Sequence, residues 1–135
     1  MKNQLSHIGL AIKRLQVRNH RGLDAALSPL GLTLVQWDAL RHLYENPAAS
    51  LHDLAQLTFQ SDQALGALAN RMIERGLIER VAGPGRPVRH RLTARGEETR
   101  KNASTIVEQV LAKSFAPLST DELDAFHGYL RKLLG

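Results

Sequence analysis

The N-terminal segment repeats apolar residues every three or four positions, which is the spacing of one face of an α-helix. Its members are Leu5, Ile8, Ile12 and Leu15, and the same face resumes at Leu23, Leu27 and Leu30. Proline cannot continue a helix and glycine favours its end. The pattern therefore predicts a long amphipathic first helix that ends at Pro29 and Gly31.

Three shorter helices follow, each beginning at a hydroxyl residue that can cap a helix N-terminus. Thr33 with Gln36, and Ser50 with Asp53, have the spacing of a capping box. Ser61 caps the last of the three. The first predicted helix runs from residue 34 to about 45 and ends before Asn46-Pro47. The second contains Leu51, Leu54 and Ala55. The third runs from about Asp62 to Arg75 and ends before Gly76.

Beyond Gly76 the apolar positions alternate, so the segments "LIERV" and "VRHRL" predict a β-hairpin around the turn "AGPGRP". In this hairpin Val88, His90 and Leu92 face one side, and Arg89 and Arg91 face the other. Two further helices follow. The first is capped by Thr93 and runs to Phe115, before Pro117. The second begins at the capping box of Ser119 and Glu122 and runs to about Leu134.

The order helix, short helix, tight turn, helix and two-stranded hairpin is that of a winged helix-turn-helix. We therefore expect a mainly α fold with a small β-hairpin wing, in one domain over residues 1–135. The winged helix-turn-helix would span residues 32–95. The flanking helices, at 3–30 and 97–134, carry more apolar surface than so small a unit can cover, so we expect them to form a homodimer.

Charge is concentrated in the middle of the chain. The net charge is +5, and residues 60 to 101 hold nine basic residues against five acidic ones. The stretch "GPGRPVRHRLTARG", Gly83 to Gly96, carries four arginines and a histidine but no acid. A basic region of this kind is typical of proteins that bind nucleic acid. Ordinary solvated surface charge is the alternative explanation.

Three segments in order, "LTLVQWDALRHLYENP", "LHDLAQLTFQSDQALGALANRMIERGLIER" and "RPVRHRLTARG", resemble the MarR-type bacterial transcriptional regulators. The resemblance covers Leu32 to Gly96, and the flanking helices also fit it. It implies a homodimer that binds pseudo-palindromic double-stranded DNA, usually near its own promoter. It also implies release of that DNA by a small, commonly aromatic, ligand bound between the dimerisation and DNA-binding parts.

Two places depart from the family pattern. The family's wing usually carries Asp-x-Arg, whereas this chain has Pro84, Gly85 and Arg86, so the arginine is kept without its supporting acid. Relatives tend to carry Thr or Arg in the reading helix where this chain has small residues, at Ala64, Gly66 and Ala67. Few direct base contacts are therefore expected.

The candidate DNA contacts lie on the fourth helix and the hairpin. Helical spacing places Gln63, Ala67, Asn70 and Glu74 on one outward face, and the amides of Gln and Asn can bind adenine edges, although exposed amides are also commonplace. We expect Arg71, Arg89 and Arg91 to contact phosphates. Arg86, at the tip of the hairpin, is expected to enter the minor groove. The predicted DNA-binding residues are Ser61, Gln63, Ala67, Asn70, Arg71, Arg86, Arg89 and Arg91.

Other chemistry finds little support in the sequence. Cysteine is absent, which indicates a reducing compartment, and no segment resembles a signal peptide or a membrane span, so we expect a cytoplasmic protein without membrane contact. The six histidines lack metal-ligand spacing. Without a phosphate loop, a nucleophile motif or a paired carboxylate, neither an enzyme nor a cofactor is expected. We assign the effector pocket to Arg14, Trp37 and Arg41, while Trp37 also fits a core position.

Two functions remain open at this point. The first is a dimeric repressor that reads DNA and is released by a ligand, and the basic hairpin favours it. The second is a winged-helix protein that has lost operator reading and serves as a protein-interaction module or nonspecific DNA binder. The small residues Ala64, Gly66 and Ala67 keep the second in contention.

Overall fold

The computed structural model describes residues 2–82, 85 and 88–135, and it contains six α-helices and one two-stranded sheet in those ranges. A short 3₁₀ turn, Ser28–Leu30, follows the first helix. The elements in chain order are α1 (Lys2–Leu27), α2 (Leu34–Glu45), α3 (Leu51–Leu57), α4 (Asp62–Glu74), β1 (Ile78–Val81), β2 (Arg89–Leu92), α5 (Ala94–Phe115) and α6 (Thr120–Leu134). The expected fold, mainly helical with a small hairpin, is confirmed.

The helix starts agree with the capping residues read from the sequence. Each cap is a hydroxyl residue in extended conformation whose oxygen accepts a hydrogen bond from a first-turn backbone amide. Three of them form complete capping boxes, at Thr33, Ser50 and Ser119. Gly76 adopts a φ of 72° one residue beyond Arg75, the C-cap of α4, as a helix-ending glycine should. Local chemistry therefore sets these boundaries.

The core lies where α1, α2, α4, α5 and the base of the hairpin meet. Leu27, Leu40, Leu65 and Leu77 are its largest fully buried side chains. Each such burial contributes about 1.5–3 kcal/mol relative to an exposed side chain. Because these leucines come from three helices and from the segment just before β1, the same contacts that stabilise the fold also hold α4 in place.

Two polar contacts fix the corner between α1 and α2. Asp24 on α1 accepts a hydrogen bond from the backbone amide of Leu34 at 2.7 Å. From the other side, the guanidinium of Arg75 donates to the carbonyls of Gly31 and, at 3.2 Å, of Leu30. Arg75 directly follows α4, so this contact ties the end of that helix to the corner.

The hairpin meets α5 at an unusually close approach. A Cβ atom built on Gly96 would lie 1.8 Å from the carbonyl oxygen of Leu77. That oxygen accepts hydrogen bonds from the Thr93 amide at 3.1 Å and the Thr93 hydroxyl at 3.2 Å. Only glycine fits at position 96, because any side chain would separate the start of α5 from the root of the hairpin.

Candidate nucleic-acid interface

Helix α4 presents a buried face to the core and an exposed face to solvent. Leu65, Leu68 and Met72 are buried against the rest of the domain, and α3 packs beside them through Leu54. On the opposite side Gln63, Ala67, Asn70 and Arg71 are exposed, as is Ser61 at the start of the helix. The structure thus places these five predicted contacts on one accessible surface.

The turn between α3 and α4 contains an aromatic residue in an uncommon conformation. Phe59 has a φ of 57°, in the left-handed region that bulky residues rarely adopt, and its side chain is 92% exposed. The following amide, of Gln60, donates to the carbonyl of Ala55 at 2.8 Å and holds the turn closed. The sequence identified this turn but gave no reason to expect an exposed aromatic ring there.

The wing is antiparallel, with Glu79 opposite Arg91 and Arg80 opposite His90. Nε of Arg91 donates to Glu79 at 2.6 Å, so one of the arginines is paired with an acid from the other strand. Although the stretch from Gly83 to Gly96 contains no acid, the charge of Arg91 is therefore compensated by Glu79, which lies outside that stretch. Arg89 is partly exposed at the start of β2. Arg86 lies outside the described residues.

His90 is buried within β2 of the wing and faces inward, as the alternation predicts. Burial lowers the pKa of His90, and the nearby positive charge of Arg80 lowers the pKa further. Its Nδ1 has no hydrogen-bond partner among the residues that the structure describes. His90 is therefore a neutral core residue at physiological pH. Val88, expected on the same face, is exposed and precedes β2.

The start of α4 also carries an ionic contact that sequence reasoning missed. Nδ1 of His52, on α3, lies 2.8 Å and 3.1 Å from the two carboxylate oxygens of Asp62. Asp62 raises the pKa of His52 through this hydrogen bond and through its charge. The residues are ten positions apart, so no helical or strand periodicity relates them. Only the fold of the helix-turn-helix brings them together.

The residues assigned to an effector pocket fall in two places. The guanidinium of Arg41 lies over the ring of Trp37, 5.3 Å from its centre, and also bonds to Asp38 at 2.7 Å. The indole nitrogen of Trp37 donates to Ser104 on α5 at 3.0 Å. Arg14, by contrast, lines shallow grooves on the surface of α1. Within one chain the contacts join Trp37 to Arg41 and leave Arg14 elsewhere.

A second arginine and aromatic pair lies at the interface of α2 and α5. The guanidinium of Arg100 is 3.7 Å from the centre of the Tyr44 ring. Among the described residues, the Nε atoms of both Arg100 and Arg41 are buried without a hydrogen-bond partner. This pair was not identified from the sequence, since Tyr44 and Arg100 are far apart along the chain.

The described ranges contain no cluster of three or more His, Asp or Glu side chains placed to hold a metal ion. Within the same ranges, every helix is too short or too polar to cross a membrane.

Comparison with known proteins places this architecture in a family. A family model described as MarR family matches residues 30–86. The HTH-type transcriptional repressor Rv2887 of Mycobacterium tuberculosis is 34% identical over 113 residues, which are 82% of this chain and 81% of Rv2887.

Two solved structures of Rv2887 are similar in fold. The complex with DNA has a TM-score of 0.80 at 31% identity and covers 93% of this chain and 95% of that one. The complex with salicylic acid has a TM-score of 0.79 at 32% identity and covers 93% and 94%. The identity, the coverage and the winged helix-turn-helix together establish that this chain belongs to the MarR family of transcriptional regulators.

Proposed function

We propose that this protein is a homodimeric transcriptional repressor that binds duplex DNA through α4 and the wing and releases it when a small aromatic ligand binds. The observation that carries the proposal is the exposed face of α4, which is held outward by its buried leucines beside a basic hairpin. Its relative Rv2887 has been crystallised with DNA.

Helix α4 and the wing are assigned different contacts with DNA. Gln63 and Asn70 present amide side chains on the exposed face of α4, and these can bond to base edges in the major groove. Arg71 and Arg89 bring positive charge to the phosphates on either side. Ser61 caps the helix, and Ala67 adds apolar contact of the kind that thymine methyl groups accept.

Dimerisation is supported by the apolar surface of the terminal helices. On α1, Leu5 and Ile12 are 65% and 52% exposed, and on α6 Leu133 is 75% exposed. Helix α6 has no buried residue, and it leaves an apolar cleft of 610 Å³ against α5, lined by Phe115, Phe126 and neighbouring side chains. Apolar surface on this scale is typical of an interface.

The effector site is proposed at the interface of α2 and α5. Trp37 and Tyr44 offer aromatic surfaces there, and each lies beside an arginine guanidinium, of Arg41 and of Arg100. An aromatic carboxylate matches both features, since arginine binds carboxylates and aromatic rings stack on one another. Rv2887 has been crystallised with salicylic acid. Arg14 would join this site only from the partner subunit.

The central experiment is selection of genomic DNA fragments by the purified protein at stated salt, followed by sequencing. A repressor of this kind enriches a small set of pseudo-palindromic sites, and salicylate, used as the probe ligand, weakens their retention. Arg41→Ala should abolish the salicylate effect while leaving DNA retention intact. Recovery of random fragments would contradict operator reading and favour the nonspecific binder, to which the small side chains of Ala64 and Ala67 also point.

A further inference from the structure

The surface at the start of α4 contains a histidine and two carboxylates that the proposed function does not yet use. His52 is bound through Nδ1 to Asp62, and Asp53 lies on the same helix, one residue further along. The His52 and Asp62 side chains are 63% and 68% exposed. An ion pair that exposed adds little to folding stability, so folding gives no strong reason for its presence.

The contact with Asp62 determines which ring nitrogen of His52 is free to bond to another molecule. A carboxylate only accepts hydrogen bonds, so Nδ1 must carry a hydrogen. The other nitrogen, Nε2, makes no hydrogen bond to any described residue. When the ring is protonated, Nε2 is a charged donor available to an anion. Asp62, and to a smaller degree Asp53, favour that protonated form.

The pair lies between the two elements that face DNA. Asp62 is the first residue of α4 and directly precedes Gln63. On the other side, the positive charge of Arg89 on β2 acts on Asp53 and helps to lower the pKa of that carboxyl, although its hydrogen bonds to Ser50 lower it more. His52 therefore lies against the first residue of α4, in a surface region where the charge of Arg89 on the wing is also felt.

Charge explains why a phosphate would favour a protonated His52. With the ring neutral, Asp53 and Asp62 present two negative charges to the DNA backbone, and Arg89 offsets one of them. Protonation of His52 offsets the other and adds a donor. Since DNA is a polyanion whose contacts are dominated by phosphate, bound DNA favours the protonated ring over the neutral one.

We propose that His52 is a further DNA-contacting residue, which donates its Nε2 hydrogen to a backbone phosphate, and that Asp62 is the positioning residue that holds the ring for this contact. The inference rests on the proposed function, since it requires that α4 and the wing face DNA. One consequence is that affinity for DNA falls as the pH rises and His52 loses its proton.

The test measures the DNA affinity of the full-length protein across a salt series at about pH 6.5 and about pH 8.5. The lower pH is near the ordinary pKa of histidine, and at the higher pH an ordinary histidine has lost its charge. His90 does not contribute to the pH dependence in this range, because its pKa is lowered below the ordinary 6.5. The probes are one duplex taken from the genomic selection and one mixed-sequence duplex. The variants are His52→Gln and Asp62→Asn. His20→Gln is the matched control, because His20 forms a similar pair with Asp24 at 3.3 Å on α1.

The wild-type protein should bind both duplexes about tenfold more weakly per subunit at the higher pH, the expected effect of losing one charged hydrogen bond. His52→Gln should remove most of this dependence and lower the salt slope by about 0.9 per subunit at the lower pH only. Asp62→Asn should move the loss of affinity to lower pH, because the carboxylate that favours the charged ring is gone. His20→Gln should behave as wild type.

Two results would overturn the inference. The first is full wild-type pH dependence in His52→Gln, and the second is a pH effect on the selected duplex alone, which would mean that His52 reads a base rather than a phosphate. If the genomic selection retains no fragment and the wild-type protein does not bind the mixed-sequence duplex at either pH, the proposed function itself fails. The two failures are therefore distinguishable.

Discussion

Replacing Gly96 by alanine tests the junction between the wing and α5. The added Cβ would lie 1.8 Å from the Leu77 carbonyl oxygen, so the two atoms must separate by a further 1.2 Å to reach even a 3.0 Å contact. Overpacking of this kind costs about 1–3 kcal/mol. The shift also weakens the two hydrogen bonds from Thr93 to that oxygen, each contributing about 1 kcal/mol.

We therefore expect Gly96→Ala to lower the free energy of unfolding by about 2–4 kcal/mol, or the melting temperature by about 10 °C. Urea unfolding at a fixed protein concentration, followed by far-UV circular dichroism, measures this change. Gly66→Ala is the control, because Gly66 is inside α4 with no atom within 4 Å of an added Cβ. Alanine there should stabilise the helix by about 0.5–1 kcal/mol.

The reasoning is refuted if Gly96→Ala unfolds at the same urea concentration as the wild type. Equal destabilisation of both glycine variants would also refute it, because it would show a general effect of alanine rather than a local collision. A loss confined to Gly96→Ala, accompanied by weaker DNA binding, would link the junction to the position of the wing.

Four further predictions concern single residues. Asn70→Ala should reduce the preference for a selected operator over random DNA while nonspecific affinity stays nearly unchanged, and equal loss on both in a competition assay would exclude base reading. Arg89→Ala should lower the salt slope of DNA binding more than Arg91→Ala, because Arg91 is already paired with Glu79; equal slopes would contradict this. Phe59→Gly should raise the free energy of unfolding by about 1 kcal/mol, because glycine adopts the left-handed conformation freely; an unchanged or lower urea midpoint would disprove the strain. Because burial lowers the pKa of His90, the unfolded chain binds the proton more tightly, so the wild type should lose stability as the pH falls below about 6.5, and His90→Val should lose less; identical pH profiles of unfolding would rule this out.

Sequence alone determined the elements whose causes are local. Capping residues such as Thr33, Ser50 and Ser119 bond to amides within one turn, so their spacing identifies helix starts directly. Periodicity separated the inner from the outer face of α4 for the same reason, since a helix repeats over a few residues. The order of the elements was then sufficient to predict the winged helix-turn-helix, and with it the surface that carries Gln63 and Asn70, while the resemblance of three segments indicated the family.

Only the tertiary structure decided which distant groups meet. Glu79 neutralises Arg91 because of the strand register, and His52 reaches Asp62 because the turn at Phe59 folds α3 back beside α4. Arg75 bonds to carbonyls more than forty positions away, at Leu30 and Gly31. Gly96 is required by a contact with the backbone of Leu77, which no side-chain pattern records. These pairings depend on how whole elements pack, and packing is set by the combined shape of many side chains rather than by the spacing of a few.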